Sequence, residues 1–248
     1  MKLNCDLGES YGAWRMGLDE QVMPYIDQAN IACGFHAGDP MVMIKTIKLA
    51  KQYKVSVGAH PSYPDLVGFG RRSMQCSEQE VTAMVLYQVS AIYGVAKAQG
   101  VGLTYVKPHG ALYNDMMKTF TIRKAIMSAI KQFNNAQQTK LTLMLQATAD
   151  IQCHREEAAD YGIGLIAEAF ADRCYSDDGK LLSRSLPGAV HDKQAMLAQV
   201  KQLLTEQSVT TDTGKTLALD ADSLCVHGDN ETGVQLISTI RAIVDNAV

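Results

Sequence analysis

The sequence predicts an α/β fold, a single-domain (β/α) barrel of the TIM-like kind with seven or eight strands. Three observations carry that expectation. Short apolar runs alternate with amphipathic helical stretches at about thirty-residue spacing, which marks parallel βα units. About seven such runs occur, which favours a closed barrel over an open, doubly wound sheet. The length of 248 residues matches the ~250 that one such barrel takes. No linker, low-complexity tract or repeat divides the chain, so residues 1–248 are expected to form one domain.

Leu3 to Leu7 is the first strand, and Asp6 and Glu9 fall at or just past its C-terminal end. A run from Met23 to Cys33 breaks at Gly34, presents His36 and Asp39, and gives way to a helix at Pro40. Asp39 before Pro40 reads as an N-cap followed by proline at the first helical position, where a missing N–H costs nothing. His36 lies between Gly34 and Gly38, not on an apolar helical face, and is the first candidate for chemistry. The helix runs to Tyr53 with Met43, Ile44 and Ile47 on one stripe. Val55 to Ala59 is a strand ending at His60, and the loop Ser62 to Met74 carries the GFGRR run, Gly68 to Arg72. Ser77 and Glu80 form an S-x-x-E capping box that opens a long helix stopping at Gly100.

Leu103 to Val106 is a strand that runs into Lys107, Pro108 and His109, and Thr121 to Phe133 is an amphipathic helix. A strand at Leu141 to Leu145, a helix near Asp150 to Tyr161 and a strand at Gly164 to Ala167 follow, the last leading to Glu168, Asp172 and Arg173. Asp192 to Glu206 is helical, Val209 to Leu219 is a small hairpin turning at Thr213 and Gly214, and Ser223 to Val226 is a strand ending in His227, Gly228 and Asp229. Thr232 to Val248 closes the chain as a helix.

A net charge of −3 with 20 % charged residues and no basic run gives no footprint for nucleic acid or an anionic membrane surface. Six scattered cysteines without a C-x-x-C pair read as buried apolar side chains in a reducing compartment. The N-terminus has no apolar leader segment and no run of eighteen apolar residues follows, so a cytoplasmic protein is expected. Self-association is left open.

Four of the six histidines, His36, His60, His109 and His227, come at or just after a strand run. In an α/β barrel those ends share one mouth, where catalytic groups sit. Two chemistries are open there. Imidazoles plus a carboxylate, with Asp6, His36 and His60 as the candidate ligands, would hold a divalent metal with a position left for water. Against this, no H-E-x-x-H or similar pair fixes two ligands on one element. Alternatively the histidines do metal-free acid–base work while Lys107 supplies a fixed positive charge or pairs with a neighbouring acid. Nucleotide motifs are incomplete: Thr213 to Thr216 resembles the end of a phosphate loop but has Val209 in place of its first glycine, and Gly68-Phe69-Gly70 has Ser73 in place of a third. Arg71 and Arg72 suit a carboxylate or phosphate clamp.

The stretches LNCDLGE (Leu3 to Glu9), NIACGFHAGDP (Asn30 to Pro40), GAHPSYPD (Gly58 to Asp65), GFGRR, VKPHGALYN (Val106 to Asn114), FADRCYSDDGKL (Phe170 to Leu181) and CVHGD (Cys225 to Asp229) together resemble the LamB/YcsF family over the whole chain. The resemblance implies a barrel related to those of polysaccharide-deacetylase-like enzymes. It further implies ring opening of 5-oxo-L-proline to L-glutamate coupled to ATP hydrolysis, with magnesium ATP as co-substrate, in an ATP-dependent 5-oxoprolinase with partner subunits B and C. The motif positions it carries onto this chain are Asp6, Glu9, His36, Asp39, His60, Lys107, His109, Asp172, Arg173, His227 and Asp229, and of the candidate residues Asp6, His36, Asp39, His60, Lys107, His109 and Asp229 are expected to be catalytic. Asn4, Glu9, Arg71, Arg72, Asn114, Glu168, Asp172, Arg173 and His227 are expected at the substrate. The competing classes are a stand-alone metal-dependent deacetylase or amidohydrolase and a non-catalytic substrate-binding subunit.

Overall fold

Alternation along each strand decides what the barrel contains. The strands β1 (Lys2–Leu7), β2 (Gln28–Ala32), β3 (Ser56–His60), β4 (Leu103–Val106), β5 (Thr142–Gln146), β6 (Leu165–Phe170) and β9 (Ser223–Cys225) are parallel and close on one another in that order. This computed structural model describes residues 1–184, 186–226 and 231–247, without the side chains of 231–233. A two-stranded hairpin, β7 (Ser208–Thr210) and β8 (Thr216–Ala218), stands outside the barrel where the sequence predicts one.

Leu3, Cys5, Leu7, Ala29, Ile31, Val57, Ala59, Val106, Leu143, Leu145, Ala167 and Leu224 are buried in one apolar cluster with the surrounding helices. The residues between them face inward, as their bonds to one another across the lumen show: Asn4 Nδ2 donates to Ser223 Oγ (2.8 Å), Ser223 Oγ to Gln28 Oε1 (2.8 Å), Asn30 Nδ2 to Asn4 Oδ1 (2.8 Å) and Tyr105 Oη to Asn30 Oδ1 (2.7 Å). A barrel lumen lined by polar groups is stable only when each finds a partner, and this ladder supplies them.

The helices start where their sequences say. In α2 (Pro40–Tyr53) the Asp39 carboxylate accepts from the Met41 and Val42 N–H groups, and Lys54 ends the helix in the left-handed region. The Ser77–Glu80 capping box opens α3 (Glu78–Ala98), and Asp192 caps α7 (Lys193–Glu206). By length and composition alone α3 could cross a membrane, but here its Val81, Val85, Val89 and Ile92 are buried against the core. The remaining helices are α1 (Asp19–Val22), α4 (Gly110–Lys118), α5 (Phe120–Gln137), α6 (Ile151–Asp160) and α8 (Glu231–Asn246).

Three elements differ from expectation, the first being α1, which has no counterpart among the helices expected from the sequence. The run expected from Met23 becomes a single 3-10 turn, Met23–Tyr25 with Pro24 in its first turn, and the strand begins at Gln28. α4 has no sequence start signal, because His109 takes the N-cap position without capping the helix with its side chain. That imidazole is used elsewhere.

The β3–β4 register shifts between Val57 and Gly58, which lays Tyr105 opposite Gly58. A Cβ at Gly58 would lie 2.2 Å from Cε2 of the Tyr105 ring. Gly58→Ala therefore has to displace a ring locked by Asn30, and its expected cost is ~1–3 kcal/mol. Urea unfolding monitored by circular dichroism measures it, and a change below about 0.5 kcal/mol would show that the lumen yields more readily than its hydrogen bonds imply.

Candidate active site

β1 and β4 deliver opposite charges to the same end of the barrel. Lys107, the residue after β4, is buried, and its Nζ lies 2.8 Å from Asp6 Oδ1 and 2.8 Å from Glu168 Oε1. Burial works against the Lys107 charge, but the Asp6 and Glu168 carboxylates outweigh it and hold its pKa well above the usual lysine value. Glu168 is itself fully buried and accepts from Tyr113 Oη at 2.8 Å. Burial, with Glu168 beside it, holds the Tyr113 hydroxyl protonated.

Beside this ion cluster lie three histidines. His60 closes β3, and its Nδ1 is 2.7 Å from the Lys107 carbonyl oxygen. A carbonyl only accepts, so Nδ1 carries the proton. His109 Nε2 is likewise pinned as a donor, 2.9 Å from the Phe69 carbonyl oxygen. Their other nitrogens, His60 Nε2 and His109 Nδ1, face each other at 3.0 Å. Asp6 Oδ2 is 3.4 Å from the first and Glu9 Oε1 is 3.4 Å from the second. His36 sits behind them, fully buried, with Nδ1 3.0 Å from Ser62 Oγ and Nε2 3.2 Å from Glu9 Oε1. The Ser62 hydroxyl donates to the Tyr63 carbonyl at 2.9 Å and so presents its lone pairs to His36 Nδ1, while Nε2 faces the Glu9 carboxylate. The His36 ring stacks on His109 with centroids 3.8 Å apart and planes 3° from parallel, while His60 stands 86° to both. Burial above all, then the neighbouring imidazoles, hold His36 and His109 well below the ordinary histidine pKa and hence neutral.

The GFGRR loop forms one wall. Gly70 has φ +64°, and a Cβ there would sit 2.8 Å from both His109 Cδ2 and His36 Cβ. Only glycine allows that approach at that backbone angle. The Asp65 carboxylate holds the loop by accepting from Gly68 N (2.9 Å) and Arg72 Nε (3.0 Å). A cleft of about 630 Å³ opens above, lined by Asp6, Glu9, His60, Arg71, Lys107, His109, Asn114 and Arg173, among others.

Of the residues singled out from sequence, that set is brought together. The others are placed elsewhere. His36 lies behind the cleft wall. Asp39 has Oδ1 on the two N–H groups of the α2 cap and Oδ2 on Gly12 N–H at 2.8 Å, so it does structural work away from the cleft. Asn4 belongs to the lumen ladder, and Glu168 and Asp172 are fully buried and do not line the cleft. Arg72 pairs with Asp65. Arg173 reaches the cleft but its guanidinium holds the carbonyls of Ala189 and Leu182. His227 and Asp229 lie outside the described residues. The expected metal set of Asp6, His36 and His60 is not the tightest grouping: ligating atoms of Glu9, His36, His60 and His109 all lie within 4.8 Å of one another. Sequence reading did not single out Ser62, Phe69, Asn30, Tyr105 or Tyr113. Asn30, Ser62, Phe69 and Tyr113 lie inside the stretches that carry the resemblance and Tyr105 lies in none, but their roles come from a backbone carbonyl or from contacts distant in sequence.

The LamB/YcsF family model matches residues 1–248. A protein of Vibrio cholerae serotype O1 named as the A component of 5-oxoprolinase is 51 % identical over 246 residues, covering 99 % of this chain and 98 % of that protein. One of Pseudomonas putida, named as A component 2 of that enzyme, is 50 % identical over 244 residues, 98 % of this chain and 93 % of that one. The crystal structure of a lactam utilization protein from Thermus thermophilus superposes with a TM-score of 0.89 at 38 % identity, covering 100 % of this chain and 96 % of that one.

Two outcomes follow from the electrostatics. Lys107→Met leaves Asp6 and Glu168 buried without their cation and should cost ~3–5 kcal/mol; thermal unfolding of a protein as stable as wild type would contradict the ion cluster. His36 and His109 have folded pKa values below their unfolded value, so the unfolded chain binds more protons and stability falls with falling pH. Their contribution is intact above about pH 6.5 and is lost below it. The urea midpoint should therefore drop on acidification through that range, and His109→Gln should flatten the slope.

Proposed function

The chain belongs to the LamB/YcsF family, and on that premise we propose that it is the A component of an ATP-dependent 5-oxoprolinase. In this reading it opens the ring of 5-oxo-L-proline to L-glutamate with hydrolysis of ATP, in a cytoplasmic complex with subunits B and C. The observation that carries the proposal is a cleft whose floor holds two facing imidazole nitrogens between two carboxylates, in a chain half identical to proteins named as the A component of 5-oxoprolinase.

The lactam amide of 5-oxoproline is unstrained and resonance-stabilised, and water does not open it readily. Transfer of a phosphoryl group from ATP to the lactam oxygen releases ADP and makes the ring carbon electrophilic; one water adds to that carbon and the C–N bond breaks to give γ-glutamyl phosphate, and a second water releases phosphate and leaves L-glutamate. A base is needed for the water proton and an acid for the departing nitrogen. His60 Nε2 and His109 Nδ1, on rings that line the cleft and are pinned as donors at their far sides, suit those roles. For the substrate carboxylate, Arg71 on the cleft wall is better placed than Lys107, whose ammonium sits between Asp6 and Glu168.

ATP is assigned mainly to the partner chains or to a shared interface. The Thr213 to Thr216 run lies in the β7–β8 hairpin and opens no helix, and Lys215 pairs with Asp177 at 2.6 Å. The purified chain alone is expected to be inactive, and glutamate formation from 5-oxoproline and ATP is expected only with both partners present. His36→Ala and His109→Ala should each lower turnover of the assembled complex by ~10²-fold or more while circular dichroism remains native. Full ATP-coupled turnover by the isolated chain would refute the division of labour, and wild-type rates in both variants would refute the site.

A further inference from the structure

Two imidazole nitrogens that face each other at hydrogen-bond distance need a proton or a cation between them, because two bare lone pairs repel. Here the carbonyl oxygens of Lys107 and Phe69 fix the protons of His60 and His109 on the far sides, and the facing atoms stand 3.0 Å apart. Glu9 Oε1 lies 3.4 Å from one of them and Asp6 Oδ2 lies 3.4 Å from the other. All four residues line the cleft. We propose that Glu9, His60 and His109 form a divalent-metal site at the barrel mouth, with Asp6 at its edge.

The spacing fits. Ligand bonds of about 2.0–2.2 Å around a four-coordinate ion separate neighbouring donor atoms by about 3.4 Å, close to the 3.0 and 3.4 Å found for His109 against His60 and Glu9. The surroundings fit as well, because metal-ligating histidines donate their second N–H to carbonyls or carboxylates. His60 and His109 both do so. The His60 and His109 rings stand 86° apart with the two nitrogens facing each other, whereas the His36 ring lies parallel on His109 and has its nitrogens engaged by Ser62 and Glu9. His36 is instead a positioning residue: its Nε2 lies 3.2 Å from Glu9 Oε1, and its Nδ1 is held at 3.0 Å by Ser62 Oγ. Nitrogen and oxygen donors without a thiolate select a borderline ion such as Zn²⁺, Co²⁺ or Mn²⁺ over Mg²⁺. When bound, such an ion supplies Lewis acidity and lowers the pKa of a coordinated water. An ion on His60 Nε2 and His109 Nδ1 would take the lone pairs assigned above to proton transfer, so those acid–base roles belong to the ion-free protein; the ion's use in lactam opening rests on the function proposed above, whereas its binding does not.

The test uses the full chain without substrate, stripped with a chelator and titrated with Zn²⁺ by calorimetry and with Co²⁺ by visible absorption. One ion per chain is expected, with Co²⁺ bands of a four- or five-coordinate site. His109→Gln and Glu9→Gln should each weaken binding by about 100-fold or more, and His36→Gln by about 10-fold with an unchanged Co²⁺ spectrum. Uptake well below one equivalent for Zn²⁺, Co²⁺ and Mn²⁺ alike overturns the site and leaves a shared proton joining the rings. Wild-type affinity in both ligand variants also overturns it. Should the variants unfold, X-ray absorption of the Zn²⁺-loaded wild type decides, and fewer than two imidazole ligands is a refutation. Loss of 5-oxoproline turnover in the complex without loss of ion binding would count against the proposed function and not against the site.

Discussion

Everything at the mouth of this barrel is arranged around the buried Lys107 ammonium between Asp6 and Glu168. Desolvating three charges is expensive, and the cost is offset only when geometry and further hydrogen bonds are good. They are good here: Tyr113 supports Glu168, and Asn30 Nδ2 donates to Asp6 Oδ1 at 2.7 Å. One oxygen of Asp6 is thereby committed to the lysine and the ladder, which turns the other towards His60. The backbone of the same lysine places its carbonyl against His60 Nδ1. A single position thus fixes the orientation of a carboxylate with its side chain and the tautomer of an imidazole with its backbone.

The histidines extend that logic. Each has one nitrogen fixed by a group that does not titrate near neutral pH: the Lys107 carbonyl, the Phe69 carbonyl or the Ser62 hydroxyl. Protons are therefore placed before any substrate arrives, which is the condition under which fixed dipoles aid a reaction without reorganising during it. The cost lies in the loop that brings Phe69 into place. Phe69 itself has φ +54°, uncommon for a residue with a side chain, and its neighbour must be glycine to pass over two rings. Asp65 and Arg72 hold the loop closed, so Arg72 is structural, whereas Arg71 lines the cleft with its guanidinium over the Phe69 ring.

Much of the fold was legible because its signals are local. The Asp39–Pro40 start, the Ser77–Glu80 box and the strand-end positions of His36, His60 and His109 each need only a few adjacent residues. Seven strands closing into a barrel followed from spacing. What the sequence concealed depends on contacts between distant segments. Asn4, Asn30, Tyr105 and Ser223 read as scattered polar residues in short strands, and only closure of the sheet shows that they satisfy one another. Period two in a four- to six-residue strand is too short to separate lumen from outer face when both are buried. Asp39 and Glu9 illustrate the limit at the site: both are acids beside a histidine-bearing loop, yet one has its oxygens on backbone N–H groups and the other lies against His36 and His109.

The size of the cleft bears on how the proposed chemistry is divided. At about 630 Å³ it falls in the range that accepts whole drug-sized ligands, far more than one five-membered lactam ring fills. Its floor is acid–base machinery, whereas Arg71, Lys118 and Arg184 line it with positive charge beside the Lys180–Asp178 ion pair. A lone lactam in so open a space would be poorly oriented and wet, and orientation is where much of a catalytic advantage originates. A lactam carrying a phosphoryl group, or one covered by a partner segment, would meet both the floor and the cationic lining. The dimensions therefore agree with a chain that completes a reaction begun elsewhere in a complex better than with one that captures and activates 5-oxoproline by itself.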